Sequence, residues 1–204
     1  MSTRVEAISF PNYSGVRCLM MPYIQGDPES VPDGYAPYAA IIESLAIERG
    51  QVGYLTIDES PVVAGKPHRG DRAKHGRAIH TEAGVSSGVY GWGRCNVWGG
   101  RHAVTLDHGV RILLANSLGA TCAIWDAEHY DTTEDGDIGH VSDLYPLSDA
   151  EIMEAGDVHE IGILTPHESL PVKRAGRRQF LRIVGRGVHG REPYFTRNPL
   201  LESA

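Results

Sequence analysis

The chain has 204 residues, with 19 Lys plus Arg against 26 Asp plus Glu and a formal net charge of −7. Its hydrophobic fraction of 41% and charged fraction of 22% are typical of a folded globular protein, which argues against wholesale disorder. The net acidity argues against a general nucleic-acid binder. No run of about 18 apolar residues occurs that would span a membrane. The N-terminal sequence lacks the apolar core of a signal peptide, so we expect a cytoplasmic protein with no membrane partner.

Four residue types stand out by their counts. The three cysteines, Cys18, Cys95 and Cys122, are far apart and form no CxxC motif, which argues against a disulfide scaffold and favours a reducing compartment. The 24 glycines and 12 prolines indicate many turns and a β-rich fold. The 10 histidines direct attention to metal binding.

The first strong pattern along the chain is helical. A strand is expected over 16–23, and five apolar residues then repeat at helical spacing so that they would line one face: Tyr38, Ile41, Ile42, Leu45 and Ala46. Pro37 suits the first turn of a helix, and Gly50 suits a left-handed stop. The sequence predicts a helix over 37–49.

After Gly50, short β-prone runs alternate with turn signals. The eight predicted strands are 52–58, 77–82, 102–106, 110–116, 120–126, 157–163, 164–169 and 178–185. No βαβ alternation is present, so this count predicts a mainly β fold, a double-stranded β-helix or jelly roll. We expect one domain over 1–204, with the helix of an N-terminal extension (1–50) packed on a barrel (51–186) and followed by a tail (187–204).

Two long segments separate the predicted strands. Residues 84–100 are rich in glycine, and their aromatic side chains Tyr90, Trp92 and Trp98 could stack on a substrate or close one end of the barrel. Residues 127–155 are rich in acidic side chains and are predicted to be a solvated loop. A substrate would enter between these two segments.

His80, Thr81 and Glu82 form an H-x-E triplet on a predicted strand. Residues i and i+2 of a strand point to the same face, so His80 and Glu82 can reach one point in a barrel interior. His167 would complete the group if its strand lies beside that of His80. Two histidines and a carboxylate leave open positions on a six-coordinate Fe(II), as oxygenases require.

The last predicted strand adds a cationic face. Arg178, Phe180 and Arg182 alternate along it and point to the same side. An arginine inside a barrel is unfavourable unless it meets an anion. Its guanidinium could bind a carboxylate through two parallel hydrogen bonds.

This arrangement over residues 52–185 resembles the Fe(II)/2-oxoglutarate-dependent oxygenases, which have the double-stranded β-helix fold. The resemblance implies that His80, Glu82 and His167 bind Fe(II), and that Arg178, or alternatively Arg182, binds the distal carboxylate of 2-oxoglutarate. It implies a hydroxylase with a small-molecule substrate. Glu82 departs from the aspartate that most members carry. The stretches TPHESLPV and RQFLRI also resemble uncharacterised cupin-like proteins of microbes and phages.

Other interpretations of these residues stay open. The histidines could be structural, with Arg178 paired to a buried acid such as Glu82. A cupin with a different metal chemistry would keep the two histidines and need no arginine in the barrel. The protein could also be a non-catalytic jelly roll, such as a phage virion component or a carbohydrate-binding module. A homo-oligomer is compatible with each of these.

Two further segments have a functional and a structural interpretation. His129, Asp131 and His140 form a rival ligand set, although the polar, turn-prone sequence around them favours a solvated loop. The basic residues of 66–77 could attract an anionic substrate, including a nucleotide or a nucleic-acid strand. A solvated loop is the favoured interpretation there as well.

Overall fold

The computed structural model describes residues 2–68, 76–82, 110–130, 136–185 and 195–201. The strands in these ranges are β1 (Thr3–Ala7), β2 (Arg17–Ile24), β3 (Val52–Val62), β4 (Ile79–His80), β5 (Arg111–Asn116), β6 (Cys122–Ile124), β7 (Glu151–Ile152), β8 (Asp157–Gly162), β9 (His167–Ser169) and β10 (Gly176–Val184). The helices of the described ranges are α1 (Ala39–Ser44) and four 3₁₀ helices, at Pro28–Ser30, Asp33–Tyr38, Gly139–Leu144 and Leu147–Asp149. None of the helices in these ranges is long and apolar enough to cross a membrane.

The strands of the described residues form two antiparallel sheets. The large sheet has the order β1-β8-β5-β10-β3-β2, and the small sheet has the order β4-β9-β6-β7. This mainly β architecture agrees with a jelly-roll type of fold. A closed barrel is not confirmed, because in the described part of the chain each sheet ends in edge strands. The predicted strand 102–106 lies outside the described residues.

The alternation of side chains along β10 gives the large sheet two different faces. Phe180 lies between Asp58 of β3 and Asn116 of β5, and the next residue, Leu181, lies between Ile57 and Ala115 on the opposite face. Because side chains point alternately to the two faces of a strand, Arg178, Phe180 and Arg182 share the face of Asp58 and Asn116.

A hydrophobic core lies between the two sheets. Ile112 and Leu114 from the large sheet pack in the same cluster as Cys122 and Ile124 from the small sheet. A second cluster covers the opposite face of the large sheet and includes Tyr38 and Ile42 from the N-terminal helical region. A third covers the opposite face of the small sheet: Ile79, Ala123, Trp125, Ile138 and Tyr145. Trp125 of this third cluster is buried.

The predicted helix over 37–49 is wrong in extent, because α1 has only six residues. Pro37 lies inside the preceding 3₁₀ helix. The side-chain oxygen of Gln25 accepts hydrogen bonds from the backbone N–H groups of Ile47 at 3.0 Å and Glu48 at 3.1 Å. These N–H groups would otherwise donate to carbonyls one turn earlier, so Gln25 ends the helix before Gly50.

Other elements also differ from their predictions. β6 and β9 are shorter than the predicted strands 120–126 and 164–169. β4 covers only the middle of the predicted strand 77–82. β1 was not predicted, because all five of its residues are exposed and it shows no apolar alternation. The segment 127–155 is not simply a solvated loop: outside the undescribed residues 131–135, it contains two 3₁₀ helices and β7.

Candidate metal centre

His80 and His167 lie directly opposite each other in the small sheet. β4 pairs with β9 in antiparallel fashion, with His80 opposite His167, and the two ring centroids are 4.1 Å apart. His167 is also opposite Ile124 of β6, a residue of the core between the sheets. Cross-strand partners share a face, so both imidazoles face the large sheet. The predicted proximity of these two strands is confirmed.

Backbone carbonyls orient both imidazoles in the same way. His80 Nδ1 lies 2.9 Å from the carbonyl oxygen of Ala78, and His167 Nδ1 lies 3.0 Å from that of Thr165. A carbonyl oxygen only accepts, so Nδ1 carries the proton in each ring, and Nε2 of the neutral ring has its lone pair for a metal. Histidines that bind metals typically donate their other ring N–H in this way.

Glu82 follows β4 and joins the two histidines. Its side chain is buried, and its Oε1 lies 3.6 Å from His167 Nε2. One ligand atom from each of His80, Glu82 and His167 lies within 4.8 Å of the others. Atoms bound about 2.1 Å from a common ion lie roughly 3–4 Å apart, so a small contraction would complete the site. Two neutral imidazoles and a carboxylate fit Fe(II) and also other divalent transition metals.

A backbone segment on the other side of β4 fixes the position of Glu82. The Thr81 N–H donates to the Gly136 carbonyl at 2.9 Å, and the Ile138 N–H donates to the Ile79 carbonyl at 3.1 Å. The residues around His80 are therefore paired on both sides, although β4 is short. This pairing carries the backbone from His80 to Glu82 toward the space between the sheets.

In the structure, Arg182 forms an ion pair with Glu82. Arg182 Nη1 donates to Glu82 Oε1 at 3.0 Å, and both side chains are buried. Arg182 Nη2 lies 3.5 Å from Thr56 Oγ1 on the neighbouring strand β3. The structural interpretation offered for Arg178, an ion pair with Glu82, therefore applies to Arg182 instead.

Arg178 lies farther along the same face of β10. Its side chain is buried, and its guanidinium carbon is 4.9 Å from the centroid of the Phe180 ring. The shared face of Arg178, Phe180 and Arg182 is as predicted. Arg178 is close enough to Asp58 of β3 to influence the ionisation of that carboxyl group.

Asp58 lies among basic side chains, including that of Arg178. Its Oδ1 forms an ion pair with Arg17, 2.8 Å from Nε, and its Oδ2 lies 2.7 Å from His68 Nε2. Burial alone would raise the pKa of Asp58. The hydrogen bond from His68 and the charges of Arg17, His68 and Arg178 outweigh burial, so the pKa of Asp58 is lowered.

Arg77 is a positioning residue that sequence reasoning missed. Its Nη2 donates to Glu168 Oε2 at 2.6 Å, and its Nη1 donates to the carbonyls of Ser142 and Tyr145 at 3.0 and 2.8 Å. Its guanidinium carbon also lies 5.3 Å from the Trp125 ring centroid. Arg77 thus holds the residue next to His167 from the outer face of the small sheet. An arginine two residues before a β-strand gave no sequence signal for this role.

The other sequence candidates do not join the site. His129 Nδ1 lies 2.8 Å from the Tyr145 hydroxyl, His140 is exposed, and Asp131 lies outside the described residues. Within the described ranges, His80, Glu82 and His167 form the one group that could hold a metal. From the basic segment 66–77, the described side chains of His68 and Arg77 bind carboxylates of this protein. Residues 69–75 and the aromatic segment 84–100 lie outside the described ranges.

Comparison with known proteins assigns no family. No protein-family model and no curated protein matches this chain. Among solved structures, the chain has a weak likeness to the crystal structure of EvdO2 from Micromonospora carbonacea var. aurantiaca complexed with 2-oxoglutarate. The sequence identity is 11%, the TM-score is 0.33, and the match covers 87% of this chain and 74% of that chain. A TM-score this low does not establish a shared fold.

Proposed function

We propose that this protein is an Fe(II)- and 2-oxoglutarate-dependent oxygenase, a hydroxylase of the double-stranded β-helix type. The observation that carries the proposal is the convergence of His80, Glu82 and His167 between the two sheets. Both histidines direct Nε2 to the centre because a backbone carbonyl accepts from Nδ1. This donor set is the one that leaves open positions for a cosubstrate and O2.

The residues around the metal have distinct roles in this proposal. His80, Glu82 and His167 would hold Fe(II), which would supply O2 activation coupled to the oxidation of 2-oxoglutarate. The Nδ1–H bonds to backbone carbonyls would keep the imidazoles oriented and leave Nε2 for the metal. Ile112, Leu114 and Ile124 of the core between the sheets limit the access of water to this space.

Arg178 is the residue we assign to the distal carboxylate of 2-oxoglutarate. Its buried guanidinium lies over Phe180 on the face that also carries Arg182. Arg182 is the alternative candidate, and its Nη1 binds Glu82. A buried guanidinium gains most when it binds a carboxylate through two hydrogen bonds.

The test is turnover of 2-oxoglutarate to succinate by the protein reconstituted with Fe(II). We expect turnover by the wild type and a loss of about 100-fold or more in His167→Ala, because removing a ligand costs at least as much as removing a residue that orients one. His129→Ala is the control, since His129 lies outside the metal cluster, and it should keep near-normal turnover. Arg178→Met should raise the KM for 2-oxoglutarate while Fe(II) still binds. Equal turnover by wild type and His167→Ala would end the proposal.

A non-catalytic jelly roll remains the second candidate because of the Glu82–Arg182 ion pair. This pair gives Glu82 a structural partner in the absence of a metal. In that case metal analysis should find no bound ion, and His167→Ala should change stability without changing any metal-dependent signal. A cupin with another metal chemistry would bind the ion, and Arg178→Met would leave its activity unchanged.

A further inference from the structure

A single oxygen of Glu82 faces two different partners. Glu82 Oε1 accepts a hydrogen bond from Arg182 Nη1 at 3.0 Å, and the same atom lies 3.6 Å from His167 Nε2. A metal bound by the imidazoles would need an oxygen at this position. The Glu82 oxygen that lies beside His167 Nε2, where a metal could bind it, is therefore also the oxygen that accepts from Arg182.

Arg182 is held in the protein interior. It lies on β10 opposite Thr56 of β3 and Leu114 of β5, so strands flank it on both sides. Its side chain is 5% exposed, and its Nη2 reaches Thr56 Oγ1 at 3.5 Å. This placement makes withdrawal of the guanidinium into solvent unfavourable when a metal binds.

The charge of Arg182 opposes that of a metal ion. A guanidinium stays protonated in proteins, so it cannot lose its charge as a lysine or histidine can. At short range in a buried site, repulsion between a guanidinium and a divalent cation is strong. A carboxylate that is already hydrogen-bonded to a guanidinium is also a weaker metal ligand. The positive charge of Arg182 stabilises the Glu82 carboxylate when no metal is bound, and the same charge opposes the binding of a metal cation.

We propose that Arg182 is a built-in counterion of the metal-free site, which competes with the divalent metal for Glu82 Oε1 and makes tight metal binding depend on a second, anionic ligand. The chemical class of that ligand is a dicarboxylate, which would offset the excess positive charge left at Arg182 when the metal takes Glu82. The inference rests on the metal site of the proposed function but not on turnover. It makes Arg182 a residue that tunes metal binding.

The test compares Co(II) binding by wild type and Arg182→Met, with and without 2-oxoglutarate, followed by visible absorption and calorimetry. Without 2-oxoglutarate, Arg182→Met should bind Co(II) about tenfold or more tightly than the wild type. In the wild type, 2-oxoglutarate should raise Co(II) affinity by about tenfold or more, and in Arg182→Met this enhancement should fall to about twofold.

Three further variants define the expected pattern. Arg182→Lys can lose its charge when a metal binds, so its Co(II) affinity without 2-oxoglutarate should lie between those of the wild type and Arg182→Met. Arg178→Met should lose the enhancement by 2-oxoglutarate without gaining affinity for Co(II) alone. His167→Ala should lose Co(II) binding in every condition. If Arg182→Met is poorly folded without metal, Arg182→Gln replaces it, and Co(II) should raise its melting temperature by more than that of the wild type.

Equal or weaker Co(II) binding by Arg182→Met would overturn the inference and leave the proposed function intact. Absence of Co(II) binding in both wild type and Arg182→Met would overturn the inference together with the metal site. Binding by Arg182→Met alone would support the inference in its strongest form. Turnover of 2-oxoglutarate, measured separately, decides the oxygenase activity.

Discussion

The carboxylate of Glu59 lies buried on the face of the large sheet opposite the candidate metal centre. Its Oε1 accepts from the Tyr38 hydroxyl at 2.7 Å and from Gln179 Nε2 at 2.9 Å. Its Oε2 accepts from the backbone N–H groups of Ser14 and Gly15. Burial alone would raise the pKa of Glu59, but these hydrogen bonds outweigh it and lower the pKa from 4.5 to about 2.

Glu59 should therefore make the free energy of unfolding depend on pH. Because its folded pKa is depressed, its contribution is complete above the unfolded pKa and is lost as pH falls from 4.5 toward about 2. Glu59→Gln should lower the free energy of unfolding at pH 7 by about 2–4 kcal/mol and flatten its decline below pH 5. Urea unfolding at several pH values measures both effects. Glu160→Gln, at a more exposed ion pair with Arg111, is the control; parallel pH curves for Glu59→Gln and wild type would contradict the expectation.

The sequence predicted that His80, Glu82 and His167 lie together, but not which arginine binds Glu82. The i, i+2 spacing of His80 and Glu82 and the antiparallel pairing with His167 follow from strand geometry. The choice between Arg178 and Arg182 does not, because the two residues lie on the same face of one strand. Which of them reaches Glu82 depends on how the two sheets are stacked, and local pattern carries no information about that.

Arg77 links several elements around the small sheet. It connects Glu168 of β9 to the carbonyls that follow the 3₁₀ helix Gly139–Leu144, and it lies against Trp125. These contacts hold the 3₁₀ segment against the outer face of the sheet. The element that carries His167 thus depends on an arginine outside the metal cluster.

Arg77→Met should destabilise the protein by about 2–4 kcal/mol, because it leaves Glu168 and two carbonyls without their charged donor. Urea unfolding gives the value. The matched control is Arg111→Met, which removes a half-exposed ion pair with Glu160 and should cost about 1 kcal/mol or less. Equal losses in the two variants would mean that the Arg77 contacts add nothing beyond a surface ion pair.

Strand positions were more predictable than strand lengths. Apolar runs located β3, β5, β8 and β10 closely, because each contributes buried side chains to a core. The edge strand β1 carries only exposed side chains, so no apolar pattern in the sequence predicts its pairing with β8. The length of β4 was also overestimated: its ladder with β9 has only two residue pairs, although residues 136–138 pair with residues 79–81 along its other edge.

The two sheets differ in how firmly they are held. β10 pairs with β3 over nine residue pairs from Gly176 to Val184, whereas β4 pairs with β9 over two. Short ladders open locally at a lower free energy than long ones. The candidate metal ligands His80 and His167 therefore lie in the more easily opened sheet, and Arg182, the ion-pair partner of Glu82, lies in the firmer one.

Hydrogen exchange should reveal this difference across the whole molecule. The amides of Leu181 and Ile183 in β10 should exchange only through global unfolding, and those of Thr81 and Ile138 should exchange faster. Zn(II) should slow exchange at Thr81 and Ile138 and leave β10 unchanged, because the ion joins β4 to β9. His167→Ala should abolish the slowing. Uniform protection across both sheets before Zn(II) is added would contradict the expectation.

The early end of α1 also has a consequence for how this chain can vary. Gln25 ends the helix by binding the Ile47 and Glu48 amides, and it lies so close to Gly53 that a Cβ there would be 2.7 Å from Gln25 Cγ. Positions 25 and 53 should therefore covary among homologous sequences. Where residue 53 carries a side chain, residue 25 should no longer be glutamine, and the first helix should run on toward position 49.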